Sequence, residues 1–165
     1  MNSITSAWNR LTGALSGTFV ESIALLMSRV ALAGIFWRSY ETKVVEGSLL
    51  QIDETQYFIF ANEFTGLPIS PDLAVPLTVY AEFAFPILLL IGLASRFSAA
   101  ALAVMALVIQ IFVFPTWAHF FGWDLTVLAL AAIIISRGPG LFSLDALLGR
   151  FTGSQKSSGA EPQLA

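Results

Sequence analysis

Four long apolar stretches constrain this chain more than any other feature of its sequence. They cover residues 22–41, 73–94, 97–117 and 120–137. A helix needs about 20 mostly apolar residues to cross the hydrocarbon core of a bilayer, and each stretch is close to that length. Only 12% of the residues are charged, whereas soluble domains carry about a quarter. The sequence therefore predicts an all-α integral membrane protein, a bundle of four transmembrane helices in a lipid bilayer.

Shorter segments flank the four spans. Apolar residues recur at helical spacing near the N-terminus, at Ile4, Trp8, Leu11, Leu15 and Phe19. This spacing predicts an amphipathic interfacial helix within residues 1–21, with a loosely ordered segment as the alternative. After the Gly-Pro-Gly that ends the fourth span, residues 143–151 predict a short C-terminal interfacial helix. The transmembrane domain then covers residues 22–152, and the polar residues 153–165 predict a disordered tail.

Basic residues in the connections predict the orientation of the bundle. One side carries Arg10, Arg96, Arg137, Arg150 and Lys156. The other side carries Lys43 alone, together with six acidic residues. We therefore expect both termini in the cytoplasm, and residues 42–72 and the turn at His119 on the outer side.

The composition also limits the chemistry that the chain performs by itself. It contains no Cys, one His, and no Gly-rich phosphate-binding loop. These absences exclude thiol chemistry, Cys-ligated clusters and a haem with two axial histidines. We expect no catalytic residue, no metal site and no nucleic-acid partner. Any cofactor is expected to be small and lipid-soluble, or held by a partner.

Polar residues within the spans are the candidates for a functional site, because burying them in a membrane is costly. With about 1.5 Å of rise per residue, Glu82 lies roughly 12–14 Å below the outer end of its span. Arg29 lies a few Å deeper by the same estimate. The full set expected in the outer half, as cofactor-binding residues, is Arg29, Tyr40, Tyr80, Glu82, Gln110, His119 and Asp124.

Several of these residues also have a purely structural interpretation. Asp124 is suited to cap the start of the fourth span. Gln110 is suited to a hydrogen bond between helices. The tyrosines are typical interface anchors, and His119 can lie among the lipid headgroups. Glu82 and Arg29 are harder to explain in this way, because neither reaches the membrane surface easily from its depth.

The stretch AEFAFPILLL, residues 81–90, predicts a partner for Glu82. Pro86 has no N–H, so the backbone carbonyl of Glu82 loses its helical hydrogen bond and a bend is expected there. A free carbonyl beside a carboxylate needs donors at that depth. We therefore expect Glu82 to pair with Arg29 in the core, with Gln110 or Tyr80 as a further partner.

Three short motifs resemble those of the DoxX family of small four-helix membrane proteins. The first span matches at Arg29, Ala33 or Gly34, Phe36 and Lys43. The second span matches at Glu82, Leu88, Leu89, Gly92 and Arg96. A closing segment matches at Gly138, Gly140, Ser143, Leu144 and Asp145. The resemblance covers about residues 25–148. The sequence departs from the family pattern at Tyr40, where Gly is usual.

This resemblance implies a multi-pass protein of the bacterial or archaeal cytoplasmic membrane. The family is named for a subunit of a thiosulfate:quinone oxidoreductase, and other members resemble membrane partners of soluble redox or detoxification enzymes. One hypothesis is thus an oxidoreductase membrane subunit in which Arg29 or Gln110 donates to a quinone oxygen and Glu82 passes the proton. Such a subunit requires a soluble or membrane redox partner protein, because this chain holds no electron carrier of its own.

Two other functions stay open from the sequence. A non-catalytic membrane anchor would recruit a soluble redox, detoxification or metal-handling partner, and its buried charges would only fix the helix register. A small-molecule or metal-ion transporter is less compatible with so small a bundle. Homo-oligomerisation is not decided by the sequence.

Overall fold

The computed structural model describes residues 12–13 and 17–157, and their side chains as far as Phe151. The predicted N-terminal amphipathic helix lies largely outside the described residues, since 1–11 and 14–16 are not described. Residues 158–165 of the predicted disordered tail also lie outside them.

Six helices lie within residues 17–157. They are α1 (Thr18–Glu41), α2 (Thr55–Asn62), α3 (Pro71–Ile91), α4 (Ser95–Phe112), α5 (Trp117–Arg137) and α6 (Leu144–Ser157). α1, α3, α4 and α5 are long and apolar enough to cross a membrane, which confirms the predicted all-α membrane bundle. α6 begins where the sequence predicts and continues six residues beyond the predicted end at Phe151.

The four long helices pack as an up-and-down ring. α1 contacts α3 and α5, and α4 contacts the same two helices from the opposite side. We call the end of the bundle with residues 42–70 and 113–119 the loop end, and the end with residues 92–94 and 138–157 the terminal end. One apolar cluster, including Leu32, Leu102 and Ile134, fills the middle of the bundle. A second cluster packs α2 onto the loop end.

The register between α1 and α3 decides which polar residues meet. Glu82 on α3 lies beside Ser39 on α1, and Leu89 lies beside Arg29. α3 therefore begins well beyond the last residue of α1, where Ala74 and Val75 are buried with Phe60 of α2. The ten residues from Arg29 to Ser39 correspond to about 15 Å along a helix. Arg29 and Glu82 thus lie at clearly different heights.

Candidate functional site

A cavity of about 390 Å³ opens at the loop end of the bundle. Its walls come from α1, α2, α3, α4 and the start of α5. Most of the lining is apolar, with Phe60, Phe64, Leu67, Met105, Ile109, Phe114 and Trp123 among the contributors. Its principal polar residues are Ser39, Lys43, Glu82 and His119. The arrangement is that of a mostly apolar pocket in which a few polar groups fix a ligand.

The first polar group in the cavity is an ion pair between Lys43 and Glu82. The Lys43 Nζ lies 2.8 Å from Glu82 Oε2, and the Glu82 side chain is 1% exposed. Lys43 Nζ also donates to the Ser39 backbone oxygen at 3.0 Å and to Ser39 Oγ at 2.7 Å. Ser39 Oγ in turn donates to Glu82 Oε1 at 3.0 Å. An ammonium group has three N–H donors, so all three are occupied here.

The second polar group surrounds His119. Its Nδ1 lies 2.6 Å from Asp124 Oδ2 and 3.3 Å from Gln110 Oε1. Gln110 Nε2 donates to the Thr116 backbone oxygen at 3.2 Å, which orients the amide so that Oε1 faces His119. Because both neighbours of Nδ1 are acceptors, Nδ1 carries the proton. Nε2 makes no hydrogen bond within the described residues and remains for a ligand in the cavity.

A π-helical turn brings these residues together. Phe120–Asp124 forms the turn, immediately after Trp117–His119 at the start of α5. π-Turns inside helices often occur at functional sites. Asp124 is fully buried, makes no capping hydrogen bond, and has no partner for Oδ1 among the described residues. Its carboxylate holds the imidazole of His119, so the interpretation as a helix cap is wrong.

Arg29 and Glu82 do not pair, which corrects the sequence-based expectation. Glu82 pairs with Lys43, while the Arg29 guanidinium donates to the backbone oxygens of Leu89, at 3.3 Å, and Phe142. The expectation assumed that α1 and α3 reach the same level at the loop end. α3 instead extends about two turns further, so Arg29 faces the terminal end of α3. Neither Gln110 nor Tyr80 forms a hydrogen bond with Glu82.

Arg29 belongs to a tight junction at the terminal end, outside the cavity. Gly92 has a left-handed backbone with φ +72°, and a Cβ there would overlap Arg29 Nη1 and the Ser143 side chain. Asp145 accepts hydrogen bonds from the backbone N–H groups of Ala94 and Ser95, at 2.8 and 2.9 Å. Asp145 thereby caps the start of α4. The motif residues in this region hold the fold together at the terminal end.

The two tyrosines of the predicted set also lie outside the cavity lining. Tyr40 is buried, and its hydroxyl donates to the Leu49 backbone oxygen, which ties the loop after α1 to the bundle. Its ring packs on Trp37 and Phe83 at centroid distances of 5.2 and 5.3 Å. Tyr80 is 48% exposed on α3. The helix α3 continues through Pro86, and the bend at that position stays a prediction.

Lys43 and Ser39 are the site residues that sequence reasoning missed. The sequence marks Lys43 as the basic residue of the loop end and as a match to the first motif, and neither feature identifies it as the partner of Glu82. The available signal was its spacing of four residues from Ser39, which places both on one face of α1 and its extension. Among the described residues, no group of three or more His, Asp or Glu is arranged to hold a metal ion.

Comparison with known proteins gives one match. The family model described as DoxX matches residues 24–115, more than half of the chain. The matched region contains Lys43, Glu82 and Gln110, and it ends before His119 and Asp124. No curated protein and no solved structure matches this chain.

Proposed function

This chain belongs to the DoxX family of membrane proteins, and on that premise we propose that it is the membrane subunit of an oxidoreductase. In this proposal the cavity at the loop end binds the head group of a quinone. One observation carries it: an apolar cavity has a Lys43–Glu82 pair on one wall and His119, with a free Nε2, on another. The alternative function is a non-catalytic anchor for a soluble partner. It uses buried charges only to fix the helix register, which does not require them to line a cavity.

The residues of the cavity fit such a head group. Binding cavities for small molecules commonly measure about 300–1,000 Å³, a range that includes this one. A quinone ring is flat and apolar, and Phe64, Phe114 and Trp123 supply aromatic surface for it. Its two oxygens accept hydrogen bonds. Lys43 Nζ can donate to one of them in place of its bond to Ser39 Oγ, and His119 can donate to the other when Nε2 carries a proton as well. A head group with oxygens at its two ends therefore matches a cavity with two polar walls.

When bound, a quinone supplies two-electron, two-proton chemistry. The chain's own residues would hold and move protons at the two walls. On one wall, Glu82 exchanges a proton at Oε1 or Oε2 while Lys43 and Ser39 keep its carboxylate in place. On the other wall, His119 exchanges a proton at Nε2 while Asp124 fixes the ring through Nδ1. This use of a carboxylate to set the tautomer and orientation of an imidazole is common in proteins.

The electrons have to come from another protein. The sequence contains no Cys and one His, so this chain has no ligand set for an iron–sulfur cluster or a bis-histidine haem. We propose a soluble or membrane-bound redox partner that docks at the loop end, next to the cavity. In a bacterial cytoplasmic membrane with both termini inside, that end faces outward.

Quinone retention by the purified protein tests this proposal. Protein extracted in gentle detergent is expected to carry about one quinone per chain, measured after solvent extraction and chromatography. Glu82→Gln removes the carboxylate of the first wall, and His119→Phe removes the imidazole of the second wall. Both are expected to lose the quinone.

The matched control is Glu21→Gln, which removes an exposed carboxylate at the terminal end that pairs with Arg137. This variant is expected to retain quinone as the wild type does. Wild-type extracts without quinone would favour the anchor function. If the wild type and all three variants retain the same amount of quinone, the quinone is carried by co-purifying lipid.

A further inference from the structure

A wide, mostly apolar groove runs along the membrane-facing side of α1, and Arg38, Ser39 and Thr42 are the polar residues of its lining. Its volume is about 1020 Å³, and its floor consists of small residues, Ala31, Ala33 and Gly34. Ile87 and Leu90 of α3 form part of its edge. The lining runs from Val30 to Thr42, which corresponds to about 18 Å along a helix. The groove therefore extends from the level of the cavity toward the terminal end of the bundle.

The groove and the cavity share two lining residues. Ser39 of α1 and Trp123 of α5 contribute to both. Ser39 hydrogen-bonds to Glu82 inside the cavity. The Trp123 ring lies 5.5 Å from the His119 ring and 5.6 Å from the Phe36 ring, measured between centroids. Ser39 of α1 and Trp123 of α5 thus form a wall that the cavity shares with the groove on the surface facing lipid.

We propose that this groove is the binding site for the hydrocarbon tail of the ligand whose head group occupies the cavity. The occupant is a polyprenyl chain that leaves the head group past Trp123 and lies along α1, toward the terminal end of the bundle. This inference rests on the proposed function, since a groove that shares a wall with the cavity is placed to hold the tail of the molecule whose head group lies in the cavity. The boundary between α1 and α5 at Ser39 and Trp123 is then also the route by which the ligand enters from the membrane.

The groove contributes to ligand binding by packing closely against the tail and by fixing the orientation of the head group. A tail that leaves lipid for an apolar groove gains little hydrophobic free energy, because lipid chains are as apolar as the groove. Close packing against Ala31, Gly34 and Trp123 provides the contact energy, and a fixed tail holds the head group in one orientation. A bulky side chain in the floor of the groove should therefore weaken binding of a tailed ligand and leave a tail-less ligand unaffected.

Substitution of Gly34 tests whether the groove binds the tail. A Cβ added there meets no protein atom within 4 Å, and Gly34 lines the groove, so Gly34→Leu adds its side chain on the groove side of α1. Replacing a helical Gly also favours the helix. Ala31→Leu is a second filling variant, at an exposed position of the same floor. Ala132→Leu is the control, because Ala132 is exposed on α5 and lines neither the groove nor the cavity.

The measurement compares two probes in lipid nanodiscs: a 1,4-quinone with a polyprenyl tail and the same ring without the tail. Gly34→Leu and Ala31→Leu are expected to bind the tailed quinone about tenfold more weakly, the effect of losing roughly 1.4 kcal/mol. Both variants are expected to bind the tail-less ring as the wild type does. Ala132→Leu should leave both affinities unchanged.

Each other outcome overturns the tail site in a different way. If the filling variants bind the tailed quinone with wild-type affinity, the groove holds no tail while the proposed head-group site stands. If they change the oligomeric state in detergent and leave both affinities unchanged, the groove holds a helix of a second copy. If the wild type binds neither probe, the proposed function fails and the tail site fails with it.

Discussion

The ammonium group of Lys43 lies 2.8 Å from the carboxylate of Glu82, across 39 residues of sequence. Lys43 follows the last residue of α1 by two positions, and Glu82 is in the middle of α3. The contact exists because α3 extends beyond the end of α1, which brings its central carboxylate level with the residues that follow α1. This register places an ion pair in the wall of the cavity and leaves Arg29 at the terminal end.

The stability of Lys43 and Glu82 variants should reflect this pairing. Lys43→Met leaves the Glu82 carboxylate buried without its partner and is expected to lower the unfolding free energy by about 3–5 kcal/mol. Glu82→Met should cost less, because the Lys43 side chain is 14% exposed and can turn toward water. The double variant should regain much of the loss, since a paired replacement leaves no uncompensated charge. Thermal unfolding in detergent measures all three, and strictly additive losses would contradict a direct pair.

Arg29 and Glu82 should behave as independent residues. Arg29→Met removes hydrogen bonds to the Leu89 and Phe142 oxygens and is expected to cost about 1.5–3 kcal/mol for each bond to the charged group. Because Glu82 lies about 15 Å away along the bundle, the losses of Arg29→Met and Glu82→Met should add within about 0.5 kcal/mol. Arg29→Met should also keep its quinone. A strong non-additive coupling would show that the two sites communicate, contrary to the register described above.

The orientation of the bundle can be tested with single cysteines, because the chain has none of its own. Ser48→Cys lies in the loop after α1, and Ser136→Cys lies near the end of α5. Ser48 is half-buried and Ser136 is exposed. A membrane-impermeant maleimide added to intact cells is expected to label Ser48→Cys and to spare Ser136→Cys until the cells are opened. The reverse labelling pattern would place the termini outside.

Much of the architecture followed from residue type and spacing. Four apolar stretches of membrane-spanning length predicted α1, α3, α4 and α5. The grouping of Gln110, His119 and Asp124 was also predictable, because these residues flank one short connection. A short connection keeps its neighbours together whatever the details of packing.

The pairing across helices was not predictable in the same way. Helical rise gives the depth of a residue only relative to the end of its own helix. The sequence does not state how far α3 extends beyond α1, and a shift of about two turns exchanged Arg29 for Lys43 as the partner of Glu82. Where α3 extends beyond α1, its residues Ala74 and Val75 are buried with Phe60 of α2. The π-turn at Phe120–Asp124 likewise depends on tertiary packing.

The central claim, a quinone head group in the cavity, is tested most directly by the fluorescence of Trp123. Two variants each retain a single tryptophan, with the others replaced by Phe: one keeps Trp123 in the cavity wall, and one keeps Trp117, which is 78% exposed at the same end. In nanodiscs titrated with quinone, Trp123 emission should be quenched to saturation at about one quinone per chain, as expected for a single preformed site. Trp117 emission should fall only gradually with quinone concentration. Gradual, unsaturated quenching of both tryptophans would contradict a head-group site in this cavity.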